Sequence, residues 1–178
     1  MATLFVHPLV PVACRMGAGS AHISNRLLIC AMIASVLPDA DVIAFYFGIP
    51  YSSPWGHRGW THSIAFALLI GALGVAVAAR LQASRWACFT LLSVSTASHG
   101  FLDAMTNGGL GIAFFWPFTD DRYFLPWQPI EVSPIGAARF FSQRGLEVLQ
   151  SELVWVVLPI LSVGLAALAI RRAISHQA

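Results

Sequence analysis

The sequence predicts an all-α fold: an integral membrane bundle of four to five membrane segments carrying a polar cap. Three observations lead there. Of the 178 residues, 57% are hydrophobic and only 10% charged, against roughly a quarter charged in an average soluble domain. The mean hydropathy is +0.72, so a soluble globule of this size would lack the charge to cover its surface. Two uncharged runs, Ser63–Ala79 and Leu153–Ile170, come close to the roughly 20 residues that cross a bilayer as helix. The length suits one compact unit, so the chain reads as a single membrane-embedded domain over 1–178.

Taken in order, the first apolar segment is Leu4–Cys14, short and carrying Pro8 and Pro11. No basic residue precedes it as in a signal peptide, and it is read as part of the fold. The second, Leu27–Leu37, is also short, and Pro38 bounds it because the residue before a proline resists helical dihedrals. Ser63–Ala79 is the third. Trp86–Phe101 is amphipathic, with Ser93, Ser95, Ser98 and His99 towards its end, and predicts a helix whose polar stripe faces other helices. Asp120–Glu152 is rich in proline, arginine and aromatics and predicts an ordered surface cap with a short helix near Ala137–Gln150. Leu153–Ile170 closes the bundle. Cys14, Cys30 and Cys88 sit in apolar runs without a CxxC pair and read as small buried hydrophobes.

The few charges are sorted. All ten basic residues are arginine. If the five segments alternate in direction, Arg15, Arg26, Arg80, Arg85, Arg171 and Arg172 fall on one side, which holds no acid. The positive-inside bias makes that side cytoplasmic. Asp39, Asp41, His57, Arg58, His62, His99, Asp103 and the cap then face outward, the periplasm in a Gram-negative cell. A net charge of +2 gives no dense basic field, which disfavours nucleic acid as a partner.

Ionisable residues at membrane depth are costly and ask for a reason. His99 and Asp103 lie four apart in SHGFLDA, one above the other on a helix face, so both can reach one ion. The alternative is a helix-end histidine bonded to its own aspartate. Asp39 and Asp41 follow an apolar helix in PDAD, and two carboxylates in a turn can share a cavity and hold a divalent cation, or merely cap a helix end. His57 and His62, in HRGWTHS, flank a glycine bend before an apolar helix. Arg58 between them could clamp an anion such as phosphate, or all three could anchor the interface. His7, alone in an apolar run, reads as a satisfied core histidine. Together the three motifs converge on one membrane face. A mixed His and Asp set suits Zn first, with Mn or Fe as alternatives.

LPDADVIAF, then GHRGWTHSIAFALL, then SHGFLDAMTNGGLGIAFFWPF, preceded by a near-terminal histidine, resemble the YdjM-like family of membrane-bound metal-dependent hydrolases. The resemblance runs from His7 to Phe118 and implies His7, Asp39, Asp41, His57, His62, His99 and Asp103 as the family's polar positions. That family looks distantly similar to zinc-dependent phospholipase C and P1-type nucleases. On that likeness His7, one aspartate of PDAD, His62, His99 and Asp103 would bind metal directly.

The expectation is therefore a hydrolase of the bacterial inner membrane, activating water on one or two divalent ions to cleave a phosphoester or related ester. Asp39 or Asp41 would be ligand or general base, and Arg58, with Arg122 of the cap, would stabilise developing charge. Trp55, Trp60, Trp116 and Trp127 form an interfacial belt suited to membrane lipids and to a small-molecule or lipid ester substrate. The alternative is a non-enzymatic membrane protein whose His and Asp cluster is a structural metal site or a polar network. A transporter is disfavoured, because Ser63–Ala79 and Leu153–Ile170 carry no ionisable residue.

Overall fold

The computed structural model describes residues 1–134 and 140–177. Its helices are α1 (Leu9–Ala18), α2 (Asn25–Val36), α3 (Ile64–Ala76), α4 (Ala78–Leu81), α5 (Arg85–Ala104), α6 (Gln143–Glu152) and α7 (Leu158–Ser175). A 3₁₀ helix, Leu37–Phe47, continues α2, and a π-helical turn, Leu153–Val157, joins α6 to α7. Among the described residues there is no strand, only two isolated bridges that tie Thr106 to Ile130 and Ile112 to Tyr123. The all-α expectation holds.

The number of spans does not. Among the described residues two helices are long and apolar enough to cross a membrane, Asn25–Phe47 of 23 residues and Gln143–Ser175 of 33, fewer than the four to five expected. The 10 residues of α1 rise about 15 Å at 1.5 Å each, half of a hydrocarbon core. Ser63–Ala79 gives a 13-residue α3, because the backbone leaves helical geometry at Val77 before α4 begins. Leu27–Leu37 errs in the other direction. Pro38 starts the 3₁₀ segment near its first turn, where a proline needs no donor, so the chain runs on as helix to Phe47. Leu153–Ile170 lies within the second long helix. Of the helix expected near Ala137–Gln150, the part before residue 140 lies outside the described residues; α6 begins at Gln143.

Small residues set the helix contacts. In the α3–α5 pair a methyl on Gly71 would meet Ser93 Oγ at 2.0 Å and the Phe89 carbonyl at 2.8 Å, so only glycine allows this approach. The α1–α7 pair closes with Gly17 against Ala167 and Gly164 against Ala13. Without a hydrophobic force between helices in lipid, such close packing is what holds a bundle together. The buried core of Leu27, Ala31, Leu81, Cys88, Leu91 and Leu92 joins α2, α4 and α5. The three cysteines are free.

The polar ends are also sorted. Arg26 donates to the Arg80 carbonyl and Arg171 to the Met16 carbonyl, which gathers these arginine-bearing helix ends together. The cap folds over the C-terminal end of α5: Leu125 N–H donates to Ala104 O, Ile130 N–H to Met105 O and Asn107 N–H to Ile130 O.

Candidate metal centre

Four separate pieces of chain supply the site. His7 lies in the turn before α1, Asp39 in the 3₁₀ helix, His62 in a 3₁₀ turn (Trp60–His62) and His99 and Asp103 on α5. Local chemistry fixes each. Ser63 caps α3 by accepting from Phe66 N–H at 3.1 Å, which pins the residue before it. Gly100 lets α5 approach that turn, since a methyl there would stand 3.0 Å from the His62 carbonyl. Along a 3₁₀ helix residues three apart eclipse, so Asp39, Val42 and Phe45 form one stripe and Asp41, Ala44 and Phe47 another. The two aspartates therefore face different partners.

One ligand atom from each of Asp39, His62, His99 and Asp103 lies within 4.8 Å of the others, and all four residues are buried. His99 Nε2 is 3.3 Å from Asp39 Oδ1, and His62 Nε2 is 3.8 Å from Asp39 Oδ1 and 3.9 Å from Asp103 Oδ2. His7 Nε2 stands 3.9 Å from Asp103 Oδ1, its ring stacked on that of His99 at 3.8 Å. Ligand atoms about 2.1 Å from a tetrahedral ion stand about 3.4 Å apart, so the cluster is near the size of one ion.

Hydrogen bonds to the ring nitrogens fix the histidine tautomers. His99 Nδ1 is 2.8 Å from the Ser35 carbonyl, which can only accept, so Nδ1 carries the proton and a neutral ring turns its Nε2 lone pair on Asp39. The same holds at His62. The Thr61 hydroxyl donates to Asp41 Oδ2 at 2.7 Å, leaving its oxygen to accept from His62 Nδ1 at 3.0 Å. The His62 Nε2 lone pair then faces Asp39 and Asp103. Both ring nitrogens of His7, both oxygens of Asp39, His62 Nε2 and His99 Nε2 are buried without a hydrogen-bond partner. Buried acceptors facing acceptors are costly unless a cation lies between them.

Protonation is consistent with that need. Burial and the neighbouring His99 push His7 down to about 3, which leaves it neutral and able to donate a lone pair. Burial opposes a charge on His62 too, but the Asp39 and Asp41 carboxylates outweigh it and raise this group to about 9. A proton here serves as a cation of last resort.

The remaining expected residues lie around the cluster with other partners. Asp41 Oδ1 is 2.6 Å from His57 Nδ1, while Oδ2 accepts from Arg58 N–H and Thr61 Oγ1 and is 3.2 Å from His62 Nδ1. Asp41, His57 and His62 could themselves group around an ion, yet these contacts already occupy the carboxylate. The expectation of Arg58 as a clamp for substrate meets a guanidinium wholly buried in protein. It donates to Asp103 Oδ2, the Gly108 and Leu110 carbonyls and Thr106 Oγ1, from a backbone at φ +63°. Its geometry is that of a positioning residue, strained as such residues often are. Arg122 likewise donates to the carbonyls of Tyr51, Ser53 and His57. Trp55, Trp60 and Trp116 pack as a trio and Trp127 pairs with Trp155.

Several contributors escaped the sequence reading. Thr61 stood inside a quoted motif, but its role depends on Asp41 arriving from 20 residues away. Ser35 acts through its backbone carbonyl. Glu152, a buried acid among apolar neighbours, accepts from the N–H and hydroxyl of Thr3 and so ties the His7 segment to the second long helix. An acid next to a membrane run was its signal.

The profile of the YdjM inner membrane protein family matches residues 1–174. The chain belongs to that family. It is also 43% identical over 160 residues to "Inner membrane protein YbcI" of Escherichia coli (strain K12), covering 89% of this chain and 92% of that one. Family and relative make this an inner membrane protein whose buried His and Asp group could hold a metal ion. No solved structure matches the chain, so the likeness to zinc-dependent phospholipase C and P1-type nucleases gains no support there.

Proposed function

We propose that this family member is a membrane-embedded metal-dependent hydrolase, in which His7, Asp39, His62, His99 and Asp103 hold a divalent ion. The observation that carries the reading is the convergence of unpartnered buried lone pairs from His7, Asp39, His62 and His99. Neutral imidazoles with two carboxylates make a borderline-to-hard set that suits zinc, with Mn or Fe as substitutes. A bound divalent ion supplies Lewis acidity, bringing the pKa of water towards 7 and polarising a phosphoester or related ester.

The protein's own groups do the rest. Asp41 orients both His57 and His62, as carboxylates behind metal-binding histidines do. The Asp41–His57 pair is the proton acceptor beside the cluster, with the His57 ring 5.6 Å from that of His62. Arg58 holds Asp103 and the loop at Gly108 and Leu110. The whole chain works as one multi-pass unit with zinc at its outward, periplasmic end.

The test is metal content and turnover of the purified protein in detergent. His62→Ala and Asp103→Ala are expected to insert normally and to lose the bound metal; normal content in both variants overturns the reading. The depth of the cluster, with His7, His99 and Asp103 at 0% exposure, favours a second reading, a structural ion. Ester turnover abolished by chelation and restored by Zn or Mn selects the enzyme, whereas chelation that lowers only the melting temperature selects the structural ion.

A further inference from the structure

A groove of about 360 Å³ lies along the 3₁₀ helix and includes Asp41 and Thr61, the two residues that hold His62 from behind. The period of three in that helix builds it. Leu37, Ala40 and Ile43 form one eclipsed stripe, and Asp41, Ala44 and Phe47 the next, with Trp55, Trp60 and Phe66 as the facing wall. The walls are apolar except at Asp41 and Thr61. The volume lies within the roughly 300–1,000 Å³ of small-molecule sites.

We propose that this groove takes the acyl chain of a bilayer lipid and presents its carboxylic ester to the cluster, an inference that rests on the hydrolase reading. Two observations choose this occupant. The groove is open on the flank of Asn25–Phe47, a helix long and apolar enough to cross a membrane, with Ile43 and Trp55 more than half exposed. On that flank an inner membrane protein meets lipid tails. Charge then chooses the bond. Asp39, Asp41, Asp103 and Glu152 cancel Arg58, the buried N-terminal amine and one divalent ion, and Arg58 and Arg122 donate to protein acceptors. The centre thus offers no net positive charge to an anionic phosphodiester, whereas a neutral carboxylic ester requires none. In the reaction, water adds its hydroxyl to the acyl carbon, the bond from that carbon to the alcohol oxygen breaks, and the alcohol departs with the remaining proton.

The experiment uses the full chain in nanodiscs, with metal content measured on the same preparation. The p-nitrophenyl esters of palmitate and acetate and bis(p-nitrophenyl) phosphate are compared. A phospholipid with a diazirine on its acyl chain maps the groove by crosslinking. Palmitate is expected to exceed acetate in kcat/KM by at least about tenfold, given that two buried methylenes are worth about that factor, and the phosphodiester to be poorest. Crosslinks should concentrate on residues 37–47 and 55–66 and be competed by unlabelled lipid. Ile43→Trp, which fills the groove, should collapse both the chain-length ratio and the crosslinks, and Leu165→Trp on the lipid face of α7 should change neither. Metal-dependent turnover that ignores chain length or favours the phosphodiester overturns the inference and leaves the hydrolase standing. Bound metal without turnover of any ester overturns both. Crosslinks spread evenly over 158–175 and the groove mean annular lipid and overturn the chain site.

Discussion

Asp41 shows why residue type in a motif underdetermines role. PDAD offers two carboxylates two residues apart, equally able to bind an ion. In the fold Asp41 is occupied by His57, Arg58, Thr61 and His62, while both oxygens of Asp39 remain without hydrogen bonds. The division follows from the 3₁₀ stripes, which no local pattern announces. Asp41→Asn is thus expected to leave an ion bound but about 10- to 100-fold weaker, as loss of a carboxylate behind a ligating histidine does. Asp39→Asn should abolish binding; competition with a chromogenic chelator measures both. The pH dependence follows from His62, raised to about 9 in the metal-free protein. Its folded value lies above the ordinary one, so below pH 9 an ion must displace a proton. Apparent affinity should then rise about tenfold per pH unit from 6 to 8 and flatten above 9. A flat profile across that window would mean that this nitrogen is not a ligand.

Elements were legible where composition alone decides them and obscure where tertiary contact does. Leu153–Ile170 needed only apolar length. The extension of α2 through Pro38 to Phe47 was hidden because a proline read as a terminator also fits the first turn of a new helical segment. The polar face of α5 was visible as Ser93, Ser95, Ser98 and His99, yet its partners were not. That face has two partners: α2, whose Ser35 carbonyl meets His99 Nδ1, and α3, whose contact with Ser93 depends on Gly71. A methyl there would meet the backbone carbonyl of Phe89 at 2.8 Å, so Gly71→Ala must force the helices apart. Overpacking of this kind costs about 1–3 kcal/mol. The expected result is a lower melting temperature in detergent with metal stoichiometry unchanged, because His62 precedes α3 and stands more than two helical turns from Gly71. Metal lost together with stability would instead mean that the α3–α5 seam itself positions His62 against His99.

At the scale of the molecule, the two ends of the bundle differ in kind. One sets Arg26 on the Arg80 carbonyl and Arg171 on the Met16 carbonyl, and the other gathers the histidines and aspartates of the cluster. Scarcity of charge therefore sharpens polarity along the bundle axis. A helical hairpin in a membrane obeys the positive-inside bias through such short loops, so the arginine end should face the cytoplasm. The two ends can be labelled separately. With Cys14, Cys30 and Cys88 replaced by serine or alanine, Ser84→Cys reports the turn before α5 at the arginine end, and Ser52→Cys the loop that carries His57 and His62. A membrane-impermeant maleimide applied to spheroplasts is expected to label position 52 and to reach position 84 only after the membrane is permeabilised. The reverse pattern would turn the cluster towards the cytoplasm, and equal labelling of both would mean that α3 and α4 together, the helices between the two positions, do not carry the chain across. The reversed pattern would leave the ion site intact but change the leaflet from which a lipid could enter the groove at Ile43 and Trp55. This measurement decides where in the cell any lipid turnover would occur.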